Sequence, residues 1–403
     1  LIDPKTKEAV KIIKARELWS KILDARAETG EPYIVNLDNC NDALPQGQKN
    51  LGLEIKQSNL CSEITLPTNE ERTAVCCLSS VNLEHFDDWS EDKNFIQDLI
   101  TMLDNVLEHF IDNAIDMNNL GGYNANYERF KKHIKEGKEG FTKAAYSAYR
   151  ERSIGLGAMG FHSYLQAHNI PFEGIYATGF NHKAFKHIKS SALKASKEIA
   201  KDRGEAPDIS GSTLRNAHLL AVAPNASSSI ICGGTSPSIE PIRANVFTHK
   251  TLSGSYKVKN KNLEKLINKK LDEPAKRKKL WQQISDNRGS IQNIRLFTKE
   301  EKELYKTADE INQIWVVEHA YKRQEFICQS QSVNLFFILP DSSKNQEQHN
   351  EYLQYVSDVH WYGANKLKSL YYFRSDAAKA AENVNVKVPR IKLDEVDCIA
   401  CEG

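Results

Sequence analysis

The stretch Val333-Asn334-Leu335-Phe336-Phe337-Ile338-Leu339 is the longest of four short apolar runs in the second half of the chain. Runs of this length that are bounded by Pro, Gly or Asn are typical of buried β-strands. The other three runs are Leu219–Val222, Ser229–Cys232 and Leu370–Phe373. Helical periodicity occurs between the runs, at residues 308–322 and 351–368. Short buried strands that alternate with helices predict an α/β fold with mostly parallel strand pairing.

The remainder of the chain carries further patterns. Apolar residues at helical spacing predict helices over residues 5–28, 93–117 and 181–203. Tyr33–Leu37 is predicted to form a short strand. Residues 56–68 follow neither the helical nor the strand period, which indicates a loop or a short extended segment.

The C-terminal residues 376–403 differ from the rest. They carry many charges and no apolar periodicity, and they end in Cys398-Ile399-Ala400-Cys401-Glu402-Gly403. Such a segment is expected to be a mobile tail. The predicted division of the chain is therefore a folded part, 1–375, and a tail, 376–403.

Charge and hydropathy narrow the class of protein. The 403 residues include 54 Lys and Arg against 53 Asp and Glu, and this balance argues against a chain whose main partner is a nucleic acid. Eleven basic residues lie in 250–279 with Tyr256 as the only aromatic ring, so a solvated helical surface is favoured there over a nucleic-acid footprint. No apolar run approaches the roughly 18 residues that span a bilayer, so we expect no membrane partner.

Eight cysteines are too few for a disulfide scaffold, and no signal peptide precedes them, so we expect thiols in the reducing cytoplasm. The apolar surroundings of Cys232 and Cys328 predict small buried side chains. Cys398-x-x-Cys401 has neither a second cysteine pair nor a histidine pair to complete a zinc site. A reversible dithiol on a flexible arm is the favoured interpretation.

Two segments of small residues are candidate phosphate sites. Asn225–Ser229 follows an apolar run, and it could present backbone N–H groups to an anion or be a plain polar turn. Both interpretations stay open on composition alone. Residues 155–160 satisfy the spacing G-x-G-x-x-G, but no strand is evident before them and no suitable acidic residue follows, so a dinucleotide site is not predicted.

The segment Asn59-Leu60-Cys61-Ser62-Glu63 places an amide, a thiol and a carboxylate at alternate positions. In extended backbone such positions face the same way, so the three side chains could meet one substrate. A carboxylate can act as a general base while a cysteine does nucleophilic or radical chemistry. Cys76 and Cys77 supply further thiols fifteen residues downstream.

Five motifs in order across the chain resemble the large (α) subunit of class I ribonucleotide reductase. They are Asn59-Leu60-Cys61-Ser62-Glu63-Ile64, Cys76 before Leu78-Ser79, Pro224-Asn225-Ala226-Ser227-Ser228-Ser229, Leu370-Tyr371-Tyr372-Phe373-Arg374, and the Cys-x-x-Cys tail. The tyrosine pair and the cysteine tail are similar to the class I form. A glycyl-radical motif of the anaerobic class is not present near the C-terminus.

The resemblance implies radical reduction of a ribonucleoside diphosphate to its 2′-deoxy form. Cys61 is similar to the thiyl radical residue that removes the C3′ hydrogen. Glu63 would take the 3′-OH proton, Asn59 would hydrogen-bond the ribose, and Cys76 matches one member of the reducing dithiol pair. Tyr371 and Tyr372 are similar to the radical relay, although strict pleating would put adjacent tyrosines on opposite faces.

The resemblance also implies a phosphate turn and a set of partners. Residues Pro224, Asn225, Ala226, Ser227 and Ser228 are similar to the diphosphate-binding turn, with Asn225-Ala226 in place of the more usual Ser-Glu. Cys398 and Cys401 are similar to the shuttle that reduces the active-site disulfide again. No cofactor is expected on this chain; a metal-tyrosyl radical is expected in a small (β) subunit, and thioredoxin or glutaredoxin is the expected reductant.

The position of the first motif departs from the family, where it follows several hundred residues. Here it begins at Asn59 and the chain begins at Leu1 rather than Met, so we expect the C-terminal part of an α subunit, either a split-gene product or a piece of a longer protein. An N-terminal fragment with the effector sites and the second dithiol cysteine would be a partner, since vicinal Cys77 is expected only to pack. The expected fold is part of a ten-stranded α/β barrel with Cys61 on a loop reaching into it.

The sequence is compatible with two functions. The first is half an enzyme that is inactive and poorly soluble without its complementary chain, because a part-barrel exposes strand edges and apolar surface. The alternative is a non-catalytic interaction or regulatory fragment of the same fold. The retention of Cys61, Glu63 and both tyrosines argues against the alternative.

Overall fold

A computed structural model describes residues 1–3, 5–117, 141–251, 254–338, 340, 343 and 345–375. The predicted tail, with Cys398 and Cys401, lies outside these described residues. The α-helices are Ala15–Thr29, Leu37–Asp42, Gln46–Asn50, Phe86–Trp89, Phe95–Met117, Phe141–Glu151, Phe161–Ala167, Ile175–Arg203, Ser228–Ile231, Lys261–Lys270, Pro274–Asp286, Lys299–Leu304, Gln313–Gln324 and Gln346–Lys366. The strands are β1 (Ile34–Val35), β2 (Leu78–Asn82), β3 (Gly155–Met159), β4 (Val246–Thr251), β5 (Gly254–Lys259), β6 (Leu335–Phe336), β7 (Ser369–Leu370) and β8 (Phe373–Arg374).

The buried sheet begins with β2 and β3, which pair in parallel along their whole length. An extended segment, 218–222, lies on the other side of β3, where the N–H of Leu156 donates to the carbonyl of Leu219 at 2.8 Å. Val222 then forms a parallel bridge with Gln331. The segment Leu219–Val222 is buried as predicted, but it forms only an isolated bridge and backbone hydrogen bonds to its neighbours rather than the predicted regular strand.

The sheet continues from residues 329–332 into β6, which pairs in parallel with β8. β7 pairs with β1 in antiparallel fashion. Six chain segments therefore lie side by side in the order β2, β3, 218–222, 329–336, β7–β8 and β1. The α/β class is confirmed, and closure into a ten-stranded barrel stays a prediction.

The expected preponderance of parallel pairing is wrong for the described strands. Two of their four ladders are parallel, and the other two, β1 with β7 and β4 with β5, are antiparallel. The β4–β5 ladder is a local hairpin, which needs no crossover helix. In the β1–β7 ladder, Ile34 and Val35 pair with Leu370 and Ser369, so a segment near residue 34 lies beside one near residue 370.

Most predicted helices are present with shifted ends. The prediction at 93–117 matches Phe95–Met117, and that at 181–203 matches the end of Ile175–Arg203. The first helix begins only at Ala15, because the preceding residues form a turn in which the Asp3 carboxylate accepts the N–H groups of Lys5 and Thr6 at 2.7 and 2.9 Å. Residues 56–68 carry neither helix nor strand, as expected.

The predicted strand at Ser229–Cys232 is wrong. Ser228–Ile231 is a short helix, the side chain of Ile231 is 85% exposed, and Cys232 is also exposed rather than buried. The helix forms because the turn before it supplies acceptors, with the Ser229 N–H donating to the Asn225 carbonyl at 3.1 Å. Cys328 is partly buried, and its sulfur accepts the N–H groups of Leu219 and Leu220.

The segment with G-x-G-x-x-G spacing is a strand and not a phosphate loop. Its residues form β3, which is fully buried. A Cβ atom on Gly157 would lie 2.5 Å from the Ala221 carbonyl oxygen, so the glycine allows the adjacent segment to approach. The rejection of a dinucleotide site is therefore consistent with the packing.

A second, smaller core lies beneath the basic segment. It includes Leu263, Ile267, Trp281 and Ile284 from the helices Lys261–Lys270 and Pro274–Asp286. Most lysines of these helices are exposed, which fits the predicted solvated surface. No helix among the described residues is apolar over a length that would cross a membrane.

Candidate active site

The Cys61 segment is a tight turn. The Ser62 N–H donates to the Asn59 carbonyl at 3.1 Å, and Ser62 has a positive φ of 68°. The side-chain oxygen of Asn59 accepts the N–H of Ile64 at 3.0 Å, which closes the turn. The expected extended alternation is therefore wrong, because a side chain caps the backbone here. The Asn59 side chain nonetheless acts on Glu63, where it lowers the pKa of the carboxyl.

Three serines from two neighbouring segments hold the turn. Ser332 Oγ donates to the carbonyl of Cys61 at 2.5 Å and lies 3.2 Å from Glu63 Oε2. Ser369 Oγ donates to the carbonyl of Ser62 at 2.8 Å and lies 2.7 Å from Ser330 Oγ. All three hydroxyl residues are buried. The turn is thus fixed to 329–332 and β7 at once.

Glu63 is only 3% exposed. Its burial raises the pKa of the carboxyl, while hydrogen bonds from its own backbone, Asn59 and Ser332 act in the opposite direction. A carboxylate with a raised pKa accepts a proton more readily than an exposed one. Its position two residues from Cys61 suits a general base.

The thiol of Cys61 meets the tyrosine pair. The Tyr371 hydroxyl donates to Cys61 Sγ at 3.6 Å, and the Tyr371 side chain is buried. Burial and this hydrogen bond raise the pKa of Tyr371 well above its usual range. The rings of Tyr371 and Tyr372 lie 4.4 Å apart between centroids, tilted by 56°. The structure therefore joins thiol, inner tyrosine and outer tyrosine in one line of contacts.

Adjacent tyrosines can stack because the strand is interrupted between them. β7 ends at Leu370 and β8 begins at Phe373. The Tyr372 N–H donates to the side-chain oxygen of Asn334 at 3.1 Å instead of to a strand carbonyl. This local departure from pleating lets both rings lie on one side, which the sequence pattern alone did not explain.

Two further residues at the tyrosine pair were not found from the sequence. The Tyr33 ring lies 4.7 Å from Tyr371 and 4.9 Å from Tyr372, between centroids. Arg26 is fully buried and donates to the Tyr371 carbonyl at 2.9 Å and to the Pro32 carbonyl. Arg26 thereby ties the segment that carries Tyr33 to the strand that carries the pair. No motif signalled either residue, apart from the aromatic character of Tyr33.

The turn at residues 224–229 is held mainly by its own atoms. Asn225 has a positive φ of 54°, and its amide nitrogen donates to Ser228 Oγ at 3.1 Å. Ser80 Oγ donates to Asn225 Oδ1 at 3.2 Å. Ala226 and Ser227 are exposed, and in the described part of the chain their backbone N–H groups have no acceptor. Such N–H groups are available to an anion.

The other described cysteines differ in exposure. Cys76 is exposed just before β2, while Cys77 is buried and its sulfur contacts the Leu103 carbonyl at 3.6 Å. Cys77 therefore packs in the core, as expected. Cys398 and Cys401 lie outside the described residues. Among the described residues, no group of three His, Cys, Asp or Glu side chains is placed to hold a metal ion.

Comparison with known proteins gives consistent matches. The family model of the ribonucleotide reductase barrel domain matches residues 3–214 and 207–373. The ribonucleoside-diphosphate reductase large subunit of Invertebrate iridescent virus 3 is 44% identical over 100% of this chain and 59% of its own length. A putative large subunit of Frog virus 3 is 41% identical over 100% of this chain and 65% of its own.

A solved structure agrees with these relatives. The class Id ribonucleotide reductase α subunit of Actinobacillus ureae superposes with a TM-score of 0.72 at 36% identity, covering 91% of this chain and 62% of that one. The fold and the matches together define the class of the protein as a ribonucleotide reductase. The chain belongs to the ribonucleotide reductase family, as a large-subunit barrel-domain protein. It spans about three fifths of the length of these relatives.

Proposed function

We propose that this chain carries out radical reduction of ribonucleoside diphosphates to 2′-deoxyribonucleoside diphosphates, as the C-terminal part of a class I large subunit. The contact of the Tyr371 hydroxyl with Cys61 Sγ at 3.6 Å carries the proposal, because a hydrogen atom can pass between these two groups. The turn that holds the thiol also brings a buried carboxylate, Glu63, next to it.

In the proposed reaction, the radical arrives at Tyr372, moves to Tyr371 and then takes the hydrogen atom of the Cys61 thiol. The Cys61 thiyl radical removes the C3′ hydrogen of the substrate, Glu63 accepts the 3′-OH proton, and Asn59 hydrogen-bonds the ribose. The 2′-OH leaves as water. Cys76 and a second thiol from outside this chain supply two electrons and become a disulfide.

The turn at 224–228 is the proposed diphosphate site. Pro224 and Asn225 set the turn, the backbone N–H groups of the exposed residues Ala226 and Ser227 are available to phosphate oxygens, and Ser228 follows at the start of the short helix. Asn225-Ala226 in place of Ser-Glu leaves this turn without a carboxylate of its own. An anion therefore meets no repulsion from the turn itself.

The remaining parts of the enzyme are proposed to come from partners. An N-terminal large-subunit part would supply the effector sites and the second active-site thiol. A small subunit would supply the radical from its metal-tyrosyl centre. Cys398 and Cys401 would reduce the active-site disulfide and be reduced in turn by thioredoxin or glutaredoxin.

Reconstitution tests this function. The chain is combined with the N-terminal part of a related large subunit, a small subunit and dithiothreitol, and conversion of each ribonucleoside diphosphate is measured. We expect turnover only in the complete mixture. Cys61→Ser should abolish it, whereas Cys232→Ser, which alters an exposed thiol, should retain it. Unchanged turnover with Cys61→Ser would contradict the radical role and favour a non-catalytic fragment.

A further inference from the structure

A buried carboxyl group, that of Glu240, is connected to the outer tyrosine through one side chain. Glu240 is 4% exposed, and one of its oxygens accepts a hydrogen bond from the side-chain nitrogen of Asn334. Asn334 is itself 3% exposed, and its side-chain oxygen accepts the Tyr372 N–H at 3.1 Å. The reaction proposed above gives neither Glu240 nor Asn334 a role.

The Asn334 amide takes the place of a backbone carbonyl at the break between β7 and β8. On one side of this amide, the Tyr371 N–H donates to the Val333 carbonyl at 2.9 Å. On the other side, the Leu335 N–H donates to the Tyr372 carbonyl at 3.0 Å. Between these two regular contacts, the Tyr372 N–H donates to the side chain instead. The course of the chain at Tyr372 therefore depends on this amide.

Only one orientation of the Asn334 amide satisfies both of its neighbours. An amide has a donating nitrogen and an accepting oxygen, whereas a carboxylate only accepts and a backbone N–H only donates. With the amide turned over, its oxygen would face Glu240 and its nitrogen would face the Tyr372 N–H. Each of these groups would then lose a hydrogen bond. The contact with Glu240 thus favours the orientation that accepts the Tyr372 N–H.

Two guanidinium groups act on the charge of Glu240. Burial raises the pKa of its carboxyl to about 7, whereas Arg243, the hydrogen bond from Asn334 and Arg374 act in the opposite direction. The Arg374 guanidinium in turn lies 3.9 Å from the centre of the Tyr372 ring. A glutamic acid has an accepting oxygen in either protonation state, so the contact with Asn334 does not depend on the charge.

The segment that carries Glu240 is fixed from outside the strands of the tyrosine pair. The Ser236 N–H donates to Ser163 Oγ at 2.8 Å, and the Ser163 N–H donates to Ser236 Oγ at 3.0 Å. The Ile242 N–H donates to His162 Nδ1 at 2.9 Å. Both partners lie in the helix that follows β3. Glu240 is therefore held on both sides along the chain and provides a fixed support for Asn334.

We propose that Glu240 and Asn334 are positioning residues for the radical relay. Glu240 fixes the Asn334 amide, and the amide fixes the Tyr372 backbone at the break that lets both rings lie on one side. The geometry that they maintain is the contact of the Tyr371 and Tyr372 rings, 4.4 Å apart between centroids. The inference rests on the proposed radical function and adds two residues to it.

Hydrogen exchange tests the amide contact without any turnover. The exchange rates of the Tyr371 and Tyr372 N–H groups are measured by NMR on the full chain with isotope-labelled tyrosine. In Glu240→Leu, exchange at Tyr372 should be about tenfold or more faster than in wild type, because the Asn334 amide is no longer fixed. Exchange at Tyr371, which donates to the Val333 carbonyl, should not change. Equal rates at Tyr372 in wild type and variant would overturn the inference.

Turnover of the reconstituted complex tests the consequence for the relay. Glu240→Leu should lower kcat about tenfold or more, because small displacements of reacting groups slow a reaction, while KM for the diphosphate should not change. Glu240→Gln offers the same accepting oxygen and should retain most of kcat. Glu151→Gln, which alters another buried glutamate that contacts Gln48, should behave as wild type.

An exchange of side-chain types separates orientation from packing. Asn334→Asp alone sets two carboxyl groups face to face, which share a proton at low pH and repel each other once it is lost. The kcat of this variant relative to wild type should therefore fall as pH rises between about 6 and 9. In the double variant Glu240→Gln with Asn334→Asp, the glutamine nitrogen donates to one aspartate oxygen and the other accepts the Tyr372 N–H. The double variant should therefore recover most of kcat at each pH.

Each outcome decides the inference, and the aspartate variants do so even where Glu240→Leu does not fold. A Glu240→Leu complex with the kcat of wild type, or a double variant no better than Asn334→Asp, would overturn the positioning role. The radical function would still stand, provided that Cys61→Ser is inactive. A loss that appears in KM would assign the pair to packing and overturn the role as well. No turnover by the wild-type complex would overturn the proposed function and, with it, the role in the relay.

Discussion

The turn that carries Cys61 is hydrogen-bonded by buried serines of two neighbouring segments, whereas the turn at residues 224–229 exposes Ala226 and Ser227 and forms most of its hydrogen bonds within itself or with the short helix that follows. In the first, hydroxyls of Ser332 and Ser369 donate to the backbone of the turn. In the second, the Ser80 hydroxyl donates to the Asn225 side chain and the Thr235 N–H donates to the Ser229 carbonyl at 3.1 Å. Both are short polar turns beside the same sheet. They differ in which neighbouring groups form hydrogen bonds with them.

The difference matches what each turn has to do. Hydrogen-atom transfer needs the thiol at a fixed distance from its donor, so external hydrogen bonds that immobilise the turn favour it. Anion binding needs unpaired donors that face solvent, so external hydrogen bonds would remove the function. Substitutions in the Cys61 turn should therefore affect turnover and stability, and substitutions in the turn at 224–229 should affect substrate affinity.

The largest effect is expected at the contact between the Cys61 turn (the rigid turn, residues 59–63) and Tyr371. Tyr371→Phe keeps the ring but removes the hydroxyl that lies 3.6 Å from Cys61 Sγ. Turnover by the reconstituted complex should fall by on the order of a thousandfold, about 4 kcal/mol. Tyr321→Phe, an exposed tyrosine, serves as the control. Turnover within tenfold of wild type would show that the radical reaches Cys61 without Tyr371.

A smaller effect is expected from loosening the rigid turn. Ser332→Ala leaves the Cys61 carbonyl and Glu63 without a buried donor. We expect the free energy of unfolding to fall by about 1–3 kcal/mol, measured by urea denaturation of the isolated chain. The matched change in the exposed turn, Ser227→Ala, should cost less than about 0.5 kcal/mol. Equal costs at the two positions would contradict the proposed division.

The exposed turn should respond in substrate affinity and not in stability. Ser227→Asp places a negative charge beside the proposed phosphate site, and Ser227→Asn is the neutral control of similar size. We expect KM for the diphosphate to rise about tenfold with Asp, equivalent to about 1.4 kcal/mol, and to change little with Asn. Similar KM values for the two variants would place the diphosphate elsewhere.

The smallest effect is a pH dependence at the rigid turn. Burial raises the pKa of Glu63, so its protonated form persists to a higher pH than in an ordinary glutamate. The base form is the active one, and kcat should therefore fall as pH is lowered through this raised pKa. In the Glu63→Gln variant, kcat should show no such fall at acidic pH. Measurement of kcat between about pH 5 and 8 checks the limb, and a flat wild-type profile would contradict the role of Glu63 as base.

The sequence carried the identity of the site further than its geometry. The spacing of Asn59, Cys61 and Glu63 predicted side chains that face one substrate from extended backbone, but the segment is a tight turn, and the shared site stays a prediction. The alternation of side chains along a strand does not predict that the Asn59 side chain caps the turn or that Ser62 has a positive φ. Local side-chain capping competes with extended structure, and only the folded chain shows which prevails.

The supporting residues were less accessible to pattern reasoning. Arg26 lies on a helix with a weak apolar face, and its burial depends on acceptors at Pro32 and Tyr371 that come from other segments. A usable signal did exist for Ser330 and Ser332, because Gln329-Ser330-Gln331-Ser332 is a polar run between apolar ones in a predicted buried region. Polar residues inside a buried strand need partners, and these partners form the Cys61 turn.

The order of the sheet has a consequence for how the site comes into existence during synthesis. Tyr371 follows Cys61 by 310 residues. Its N–H donates to the Val333 carbonyl, which fixes it beside the segment that leads into β6. At about 5–20 residues per second, a ribosome adds Tyr371 roughly 15 to 60 s after Cys61. During that interval the nascent thiol has no tyrosine beside it. The reactive centre is therefore assembled only after β7 and Tyr371 have been made, when they dock beside segments that were made long before.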